Sequence, residues 1–285
     1  MNKGIVIIAH NNRDVDYAKM AVVSAKFAKK NLDLPVSLIT DDSTVEWMQQ
    51  SGLFSTAETM FENIISVPRP VSNNQRLLFD GTKSSVVPFI NSNRSSVWDH
   101  TPYDKTLMID SDFLVMSDTL NQYWDASEDV LLGESFNDIQ GDRCGVLDKW
   151  TSETGVHLYW ATTVMFTKNE NSRLFFKLVD FIKDNYAYYA DLFRFDPKQY
   201  RNDISFSIAQ HIINGFEKNT ESLPPILTFQ GKDLLDIIKD DGRLIFSVKY
   251  FDDAESFYVA SVKDRDVHIM NKQSIIRNYE RLMNI

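Results

Sequence analysis

An α/β fold with a parallel sheet is predicted by three features of the sequence. Gly4 to Ala9 (GIVIIA) is a short β-branched apolar run, the signature of a buried parallel strand. In Asp14 to Lys30, Val15, Ala18, Ala21, Val22, Ala25 and Ala28 fall at helical spacing, and Lys29-Lys30 suit the negative end of a helix dipole. Leu34 to Thr40 is a second apolar run that stops at Asp41-Asp42. Strand, helix, strand is the crossover that builds a parallel sheet.

The remaining elements follow in order. Ser43 to Ser51 reads as a helix with Gly52 past its end. Asn63 to Val67 reads as a third strand and Pro68 to Asn74 as a loop. Lys83 to Trp98 is ambiguous and partly helical, broken at Pro88. Lys105 to Ile109, Val130 to Gly133 and Leu158 to Thr167 read as strands. A helix is expected from about Asn171 to Tyr188. The aromatic-rich piece Tyr186 to Phe195 reads as a loop over a site or as packing on the core. Arg201 to Asn214 reads as a helix ended by Gly215. Short strands near Leu244 to Val248, Phe257 to Ser261 and Val267 to Met270 precede a last helix, Gln273 to Met283. A parallel half comes first and a mixed half second, with no linker between them. The expectation is one domain, 1–285, of two packed lobes, 1–115 and 116–285.

Composition narrows the classes. With 285 residues and 43% apolar content, a large core needs no staples. The formal net charge of −10 argues against a broad grip on nucleic acid, which needs a basic face. A bridging divalent cation still lets an acidic protein bind phosphates. The single cysteine, Cys144, forbids an internal disulfide and points to a reducing, cytoplasmic setting. Between Gly141 and Gly145 it reads as a small loop residue, not a nucleophile. The apolar run at the N-terminus is too short for a signal peptide, and no segment reaches the ~20 apolar residues of a membrane helix.

The chemistry concentrates in Lys105-Thr106-Leu107-Met108-Ile109-Asp110-Ser111-Asp112-Phe113-Leu114-Val115. Two acids separated by one serine stand where a buried strand stops, and apolar residues resume after them. In open α/β sheets, ligands bind at the carboxyl ends of the strands. Two carboxylates there repel and lose solvation, and Mn²⁺ or Mg²⁺ relieves both while bridging to substrate phosphates. An isolated Asp-x-Asp is ordinarily a solvated turn; the apolar flanks favour metal binding here.

These residues resemble glycosyltransferases of the GT-A fold, the glycogenin-like, family 8-like group, whose DxD motif follows such a strand. The resemblance implies a Rossmann-like mixed sheet with flanking helices and transfer from a nucleoside-diphosphate sugar, a UDP-sugar being favoured. It implies that Asp110 and Asp112 hold Mn²⁺ (or Mg²⁺) against the donor diphosphate, with Asp110 also near the ribose. GIVIIAH followed by Tyr17 resembles the opening strand and nucleotide loop. Arg201-Asn202-Asp203 resembles the family's acidic segment at the sugar end of the donor. Val267 to Lys272 resembles its C-terminal His-x-x-Gly-x-x-Lys region, which implies His268 as third metal ligand and Lys272 as a diphosphate contact. Asn271 stands where the family has glycine, and the lysine lies closer to the histidine. Arg94, sixteen residues before Asp110, matches a basic residue that contacts donor phosphate or sugar. The resemblance also implies retention of anomeric configuration.

Each residue has a plainer reading beside this one. His268 suits a buried structural histidine as well as a Mn²⁺ ligand. Asp203 suits a helix start, or the stabilisation of charge on a sugar whose donor bond is breaking. Tyr17 stacks on the base or packs its helix. Asp41 accepts a hydrogen bond from the base or caps a turn. Trp160 supports an acceptor sugar or fills the core. Lys83 reads as an exposed cation, and Glu134 is a weak candidate for acting on the acceptor hydroxyl. A nucleotidyltransferase is the alternative enzyme, although His10-Asn11-Asn12-Arg13-Asp14 lacks the glycine-rich phosphate loop of that class. A nucleotide- or glycan-binding protein on the same scaffold is the alternative without catalysis. The acceptor, whether glycan, protein, small molecule or modified base, is left open.

Overall fold

The computed structural model describes the chain except residues 72–73, 80–82, 142, 144, 146–147, 218–220 and 251–254. Cys144 and part of the Pro68 to Asn74 loop therefore lie outside the described residues. The expected crossover is present: β1 (Lys3–Ile8), α1 (Tyr17–Leu32) and β2 (Val36–Thr40), with β1 and β2 parallel. Asp16 caps α1 by accepting from the Lys19 amide at 2.9 Å. Next come α2 (Asp42–Gln50), α3 (Phe54–Met60) and β3 (Asn63–Ser66), which pairs in parallel with β2.

β4 (Gln75–Phe79) and β5 (Ser84–Pro88) form an antiparallel hairpin where the sequence suggests partial helix. Pro88 does not break a helix; it closes a strand, a position that needs no ladder donor. Only after it does the chain turn helical, through the turn Arg94–Ser96 into α4 (Val97–His100). β6 (Lys105–Ile109), β7 (Phe113–Leu114), β8 (Val130–Gly133), β9 (Phe136–Asp138) and β10 (Trp160–Thr167) follow. The expected single helix from Asn171 is two, α5 (Glu170–Asp184) and α6 (Tyr186–Phe193), parted at Asn185. The aromatic piece is thus helical, with Tyr186, Tyr189 and Phe193 buried in the core. Then come α7 (Asn202–Ile213), β11 (Ile226–Phe229), β12 (Leu234–Ile238), β13 (Leu244–Lys249), β14 (Phe257–Val262) and β15 (Val267–Ile269). The last helix is also split, into α8 (Lys272–Arg277) and α9 (Tyr279–Met283).

The main sheet runs β3-β2-β1-β6-β10-β8. Its first four strands are parallel, and β10 is antiparallel to both neighbours. The sheet is thus mixed, with helices packed against it. Period-two alternation divides its residues between two cores. Ile5, Ile7, Leu107 and Ile109 join α1 on one face; Val6 and Met108 join α5 and α7 on the other. Gly4 is required by close approach: a Cβ there would sit 2.4 Å from the Tyr103 ring, whose hydroxyl bonds Ser37 at 2.7 Å. Among the described residues, no helix is long and apolar enough to cross a membrane.

A second sheet, β7-β15-β11-β9, draws distant segments together. β7 is the continuation of the chain just past Asp112. β15 lies antiparallel to it, with His268 opposite Phe113. A third sheet, β12-β13-β14, is a separate antiparallel meander.

Candidate metal and nucleotide-sugar site

β6 ends on a turn that holds the two acids. The Asp110 amide donates to Thr162 of β10 at 3.0 Å, and the Phe113 amide donates back to Asp110 at 3.1 Å. Ser24 of α1 donates to the Phe113 carbonyl at 2.7 Å, so the turn is fastened to the first crossover helix. The Ile269 amide donates to the Asp112 carbonyl at 2.9 Å. Two sheets therefore fix the acids and His268 against each other from positions more than 150 residues apart in sequence.

His268 Nε2 stands 3.4 Å from Asp112 Oδ1, and both side chains are 7% exposed. One ligand atom from each of Asp110, Asp112 and His268 lies within 4.8 Å of the others. Two adjacent ligands on an octahedral ion are about 3 Å apart, given metal–oxygen bonds near 2.1 Å. The set, two carboxylates and an imidazole, suits one hard divalent cation in its chemistry, and an ion would draw the three ligand atoms closer together. His268 Nδ1 is buried without a partner among the described residues.

Two cations press on the same carboxylates. Arg94 pairs with Asp110 and also donates to the Ala161 carbonyl at 2.8 Å. Lys272 pairs with Asp112 and is itself buried. Burial pushes the Asp110 carboxyl up; Arg94 opposes this, while the Asp112 charge adds to it. Burial also acts upward on Asp112, but Lys272 and then His268 outweigh it and hold this carboxyl well below the usual carboxylate range. Asn271, where the resembled family has glycine, explains the position of Lys272. Its side chain caps α8 by accepting from the Ser274 amide at 3.1 Å and donates to the Asp233 carbonyl at 2.8 Å. The cap starts a helix at Lys272 and aims that residue at Asp112.

These groups line one cavity of about 320 Å³. Tyr17, Arg94, Asp110, Asp112, Asp203, His268 and Lys272 all face it. The hydroxyl of Tyr17 is buried and has no hydrogen-bond partner among the described residues. Asp203 opens α7 and pairs with Arg201, whose Nε donates to it at 3.1 Å, so it stabilises the helix start while facing the cavity. Trp160 packs in the core, stacked on Phe136 with ring centres 4.8 Å apart, and also lines the cavity.

Asp41 is not on the cavity wall. Its carboxylate caps α2 through the Thr44 amide at 3.0 Å, meets His10 Nδ1 at 2.9 Å and takes Arg69 on both oxygens at 3.0 Å. Burial works against its charge; His10, Ser43, Thr44 and Arg69 prevail and hold it far below the usual range. Glu134 and Lys83 do not line the cavity either. Arg76, Phe89, Asn91, Asp148, Gln199 and Tyr200 do, and nothing in the sequence announces them. Asn91 clasps His10 at the end of β1 by accepting from its amide at 2.8 Å and donating to its carbonyl at 3.1 Å.

No protein-family model and no curated sequence matches the chain. Several solved structures are similar. The galactosyltransferase LgtC, solved with donor and acceptor sugar analogs, is 17% identical over 73% of this chain and 70% of its own, with a TM-score of 0.46. The glycosyltransferase GlyE of Streptococcus pneumoniae TIGR4 is 16% identical over 78% of this chain and 45% of its own, with a TM-score of 0.41. Mouse xyloside xylosyltransferase 1 is 8% identical over 76% and 83%, with a TM-score of 0.44.

Proposed function

We propose that this chain is a glycosyltransferase that moves a sugar from a nucleoside-diphosphate sugar, a UDP-sugar by preference, to an acceptor hydroxyl. The observation that carries the reading is the convergence of Asp110, Asp112 and His268 at the carboxyl end of a central parallel strand, beside Arg94 and Lys272. Asp110, Asp112 and His268 would hold Mn²⁺ or Mg²⁺, which when bound supplies a Lewis acid for a departing diphosphate. Arg94 and Lys272 neutralise the acids in the unliganded protein and are the cations available to the donor's phosphates. Residues 1–115 supply the acids and the nucleotide loop, and 116–285 supply His268, Lys272 and the acceptor side.

Asp203, held in place by Arg201, would offer a fixed negative charge to a sugar whose anomeric carbon becomes electron-poor. Tyr17 brings a ring and a free hydroxyl to the nucleotide end. Retention of configuration follows from the family resemblance and is read from the anomeric proton of the product by NMR. The single cysteine supports a cytoplasmic setting.

The test is a thermal-shift panel of UDP, GDP, ADP and CMP, each with Mn²⁺ and with EDTA. A ligand that binds only the folded state raises its stability by mass action. A shift for UDP that EDTA abolishes is the expected result. No shift with any nucleotide would sink the transferase reading.

A further inference from the structure

Among the described residues, the cavity holds one arginine or lysine that is paired with none of its acids. Arg94, Arg201 and Lys272 are each ion-paired with an acid of the cavity. Arg76 lines the same cavity, yet its side chain makes no ion pair or hydrogen bond with any described residue. Its guanidinium instead lies 4.6 Å from the centre of the Phe89 ring. That ring is buried, at 8% exposed. Stacking on an aromatic face fixes the plane of a guanidinium and leaves its edge N–H groups free. Such an edge matches a carboxylate or phosphate with two parallel hydrogen bonds.

The strand that carries Arg76 is tethered. Asn12, in the loop after β1, donates to the Pro88 carbonyl at 2.9 Å, and the Phe89 amide donates to Asn74 at 2.8 Å. Gln199, just before α7, donates to the Gln75 carbonyl at 3.0 Å. At the far end of β4, Lys232 lies 5.5 Å from the Phe79 ring. The β4–β5 hairpin therefore spans between the two halves of the chain, and Arg76 is held on the cavity wall before any ligand arrives. A cation kept in place with no polar partner among the described residues is a preorganised anion site.

We propose that Arg76, stacked on Phe89, recognises an anionic group, a carboxylate or a phosphate, on the acceptor. This rests on the transferase reading, which assigns the diphosphate to Arg94 and Lys272 and leaves Arg76 for the other substrate. The acceptor class is then an acidic sugar or a sugar phosphate.

The test titrates the full chain, loaded with UDP and Mn²⁺, with glucose, glucuronate and glucose 6-phosphate, followed by ligand-observed NMR. At least one anionic sugar is expected to bind about tenfold tighter than glucose, the effect of a charge-assisted hydrogen bond. R76Q should bring the three to parity, and R76K should keep part of the preference, having charge without the stacked fork. Which anionic sugar wins separates carboxylate from phosphate. Equal affinity for all three in the wild type would overturn the proposal, as would a preference that survives R76Q. A tenfold loss of UDP affinity in R76Q would overturn it too, by giving Arg76 to the donor. Failure of the wild type to take UDP with Mn²⁺ defeats the transferase reading instead, and it shows in the control before any sugar is added. Unchanged melting of the unliganded variants confirms that they fold.

Discussion

The turn at Asp110 to Asp112 and the hairpin of β4 and β5 face one cavity but are built in opposite ways. The turn is fastened from every side: Thr162 of β10, Ser24 of α1 and Ile269 of β15 all bond its backbone. Its acids are largely buried and electrically saturated by Arg94 and Lys272. The hairpin bonds mainly to itself and touches the body at a few tethers. Leu77 and Val86 on it are 51% and 64% exposed. A site that must hold a doubly charged ion needs the first construction, because buried charge is tolerable only in fixed geometry. A wall that reads a variable second substrate is well served by the second.

The largest effect should come from the turn. Asp112→Ala removes one carboxylate of the proposed ion site and leaves Lys272 buried without its partner. Metal-dependent donor hydrolysis should fall about a hundredfold or more, and the EDTA-sensitive shift with UDP should vanish. Unchanged turnover would remove the turn from the chemistry.

Arg94→Gln should separate electrostatics from binding. Breaking a buried pair by removing one partner costs about 3–5 kcal/mol, since the remaining charge is uncompensated. Asp110 is that remaining charge. The unliganded variant should melt lower than the wild type. Mn²⁺ should then recover more melting temperature in the variant than in the wild type, because the ion replaces the missing positive charge. Equal metal shifts in both proteins would show that Asp110 is not part of the ion site.

The foot of the hairpin arm offers a smaller, pH-dependent test. Arg69, in the stretch that leads into β4, bonds both the Asp41 carboxylate and the Asn11 carbonyl. The folded protein holds the Asp41 carboxyl below its ordinary value. Its stabilising contribution is therefore complete above the unfolded value, near pH 4, and is lost as pH falls through the lower folded value. Asp41→Asn should be less stable than the wild type at pH 7, and the gap in urea denaturation should close as pH falls below about 4. A gap independent of pH would mean that the charge on Asp41 contributes nothing.

The two regions also differ in how openly the sequence announces them. The strand Lys105–Ile109 was legible to the residue, because five consecutive buried positions between polar boundaries have few other solutions. The acids after it were legible because charge at the end of a buried strand demands a reason. The hairpin was not. Gln75–Phe79 and Ser84–Pro88 alternate poorly, since the hairpin pairs chiefly with itself and buries little beyond Leu78 and Val87. Its proline suggested a broken helix. Short strands such as β7, β9 and β11 were hidden for another reason. Two to four residues carry no period, and their partners come from far along the chain. His268 was readable only by resemblance, because its neighbour Asp112 is set by that long-range pairing. Arg76 gave no signal, for an arginine in an unrecognised strand looks like any surface cation.

The smallest expected effect is the one that tests whether the turn and the hairpin are energetically separate. Gln199 is exposed, and its bond to the Gln75 carbonyl is one tether of the hairpin. Gln199→Ala should cost no more than about 1 kcal/mol, the net worth of one such hydrogen bond. Because the tether lies on the hairpin and not on the turn, amide exchange in β4 and β5 should speed up while exchange at Asp112 and Phe113 stays as in the wild type. The Mn²⁺-dependent UDP shift should be unchanged for the same reason. If Gln199→Ala weakened that shift, the hairpin would be part of the donor site, and the proposed division of labour between a rigid ion-binding turn and a loosely tethered acceptor wall would have to be redrawn with Arg76 on the donor side.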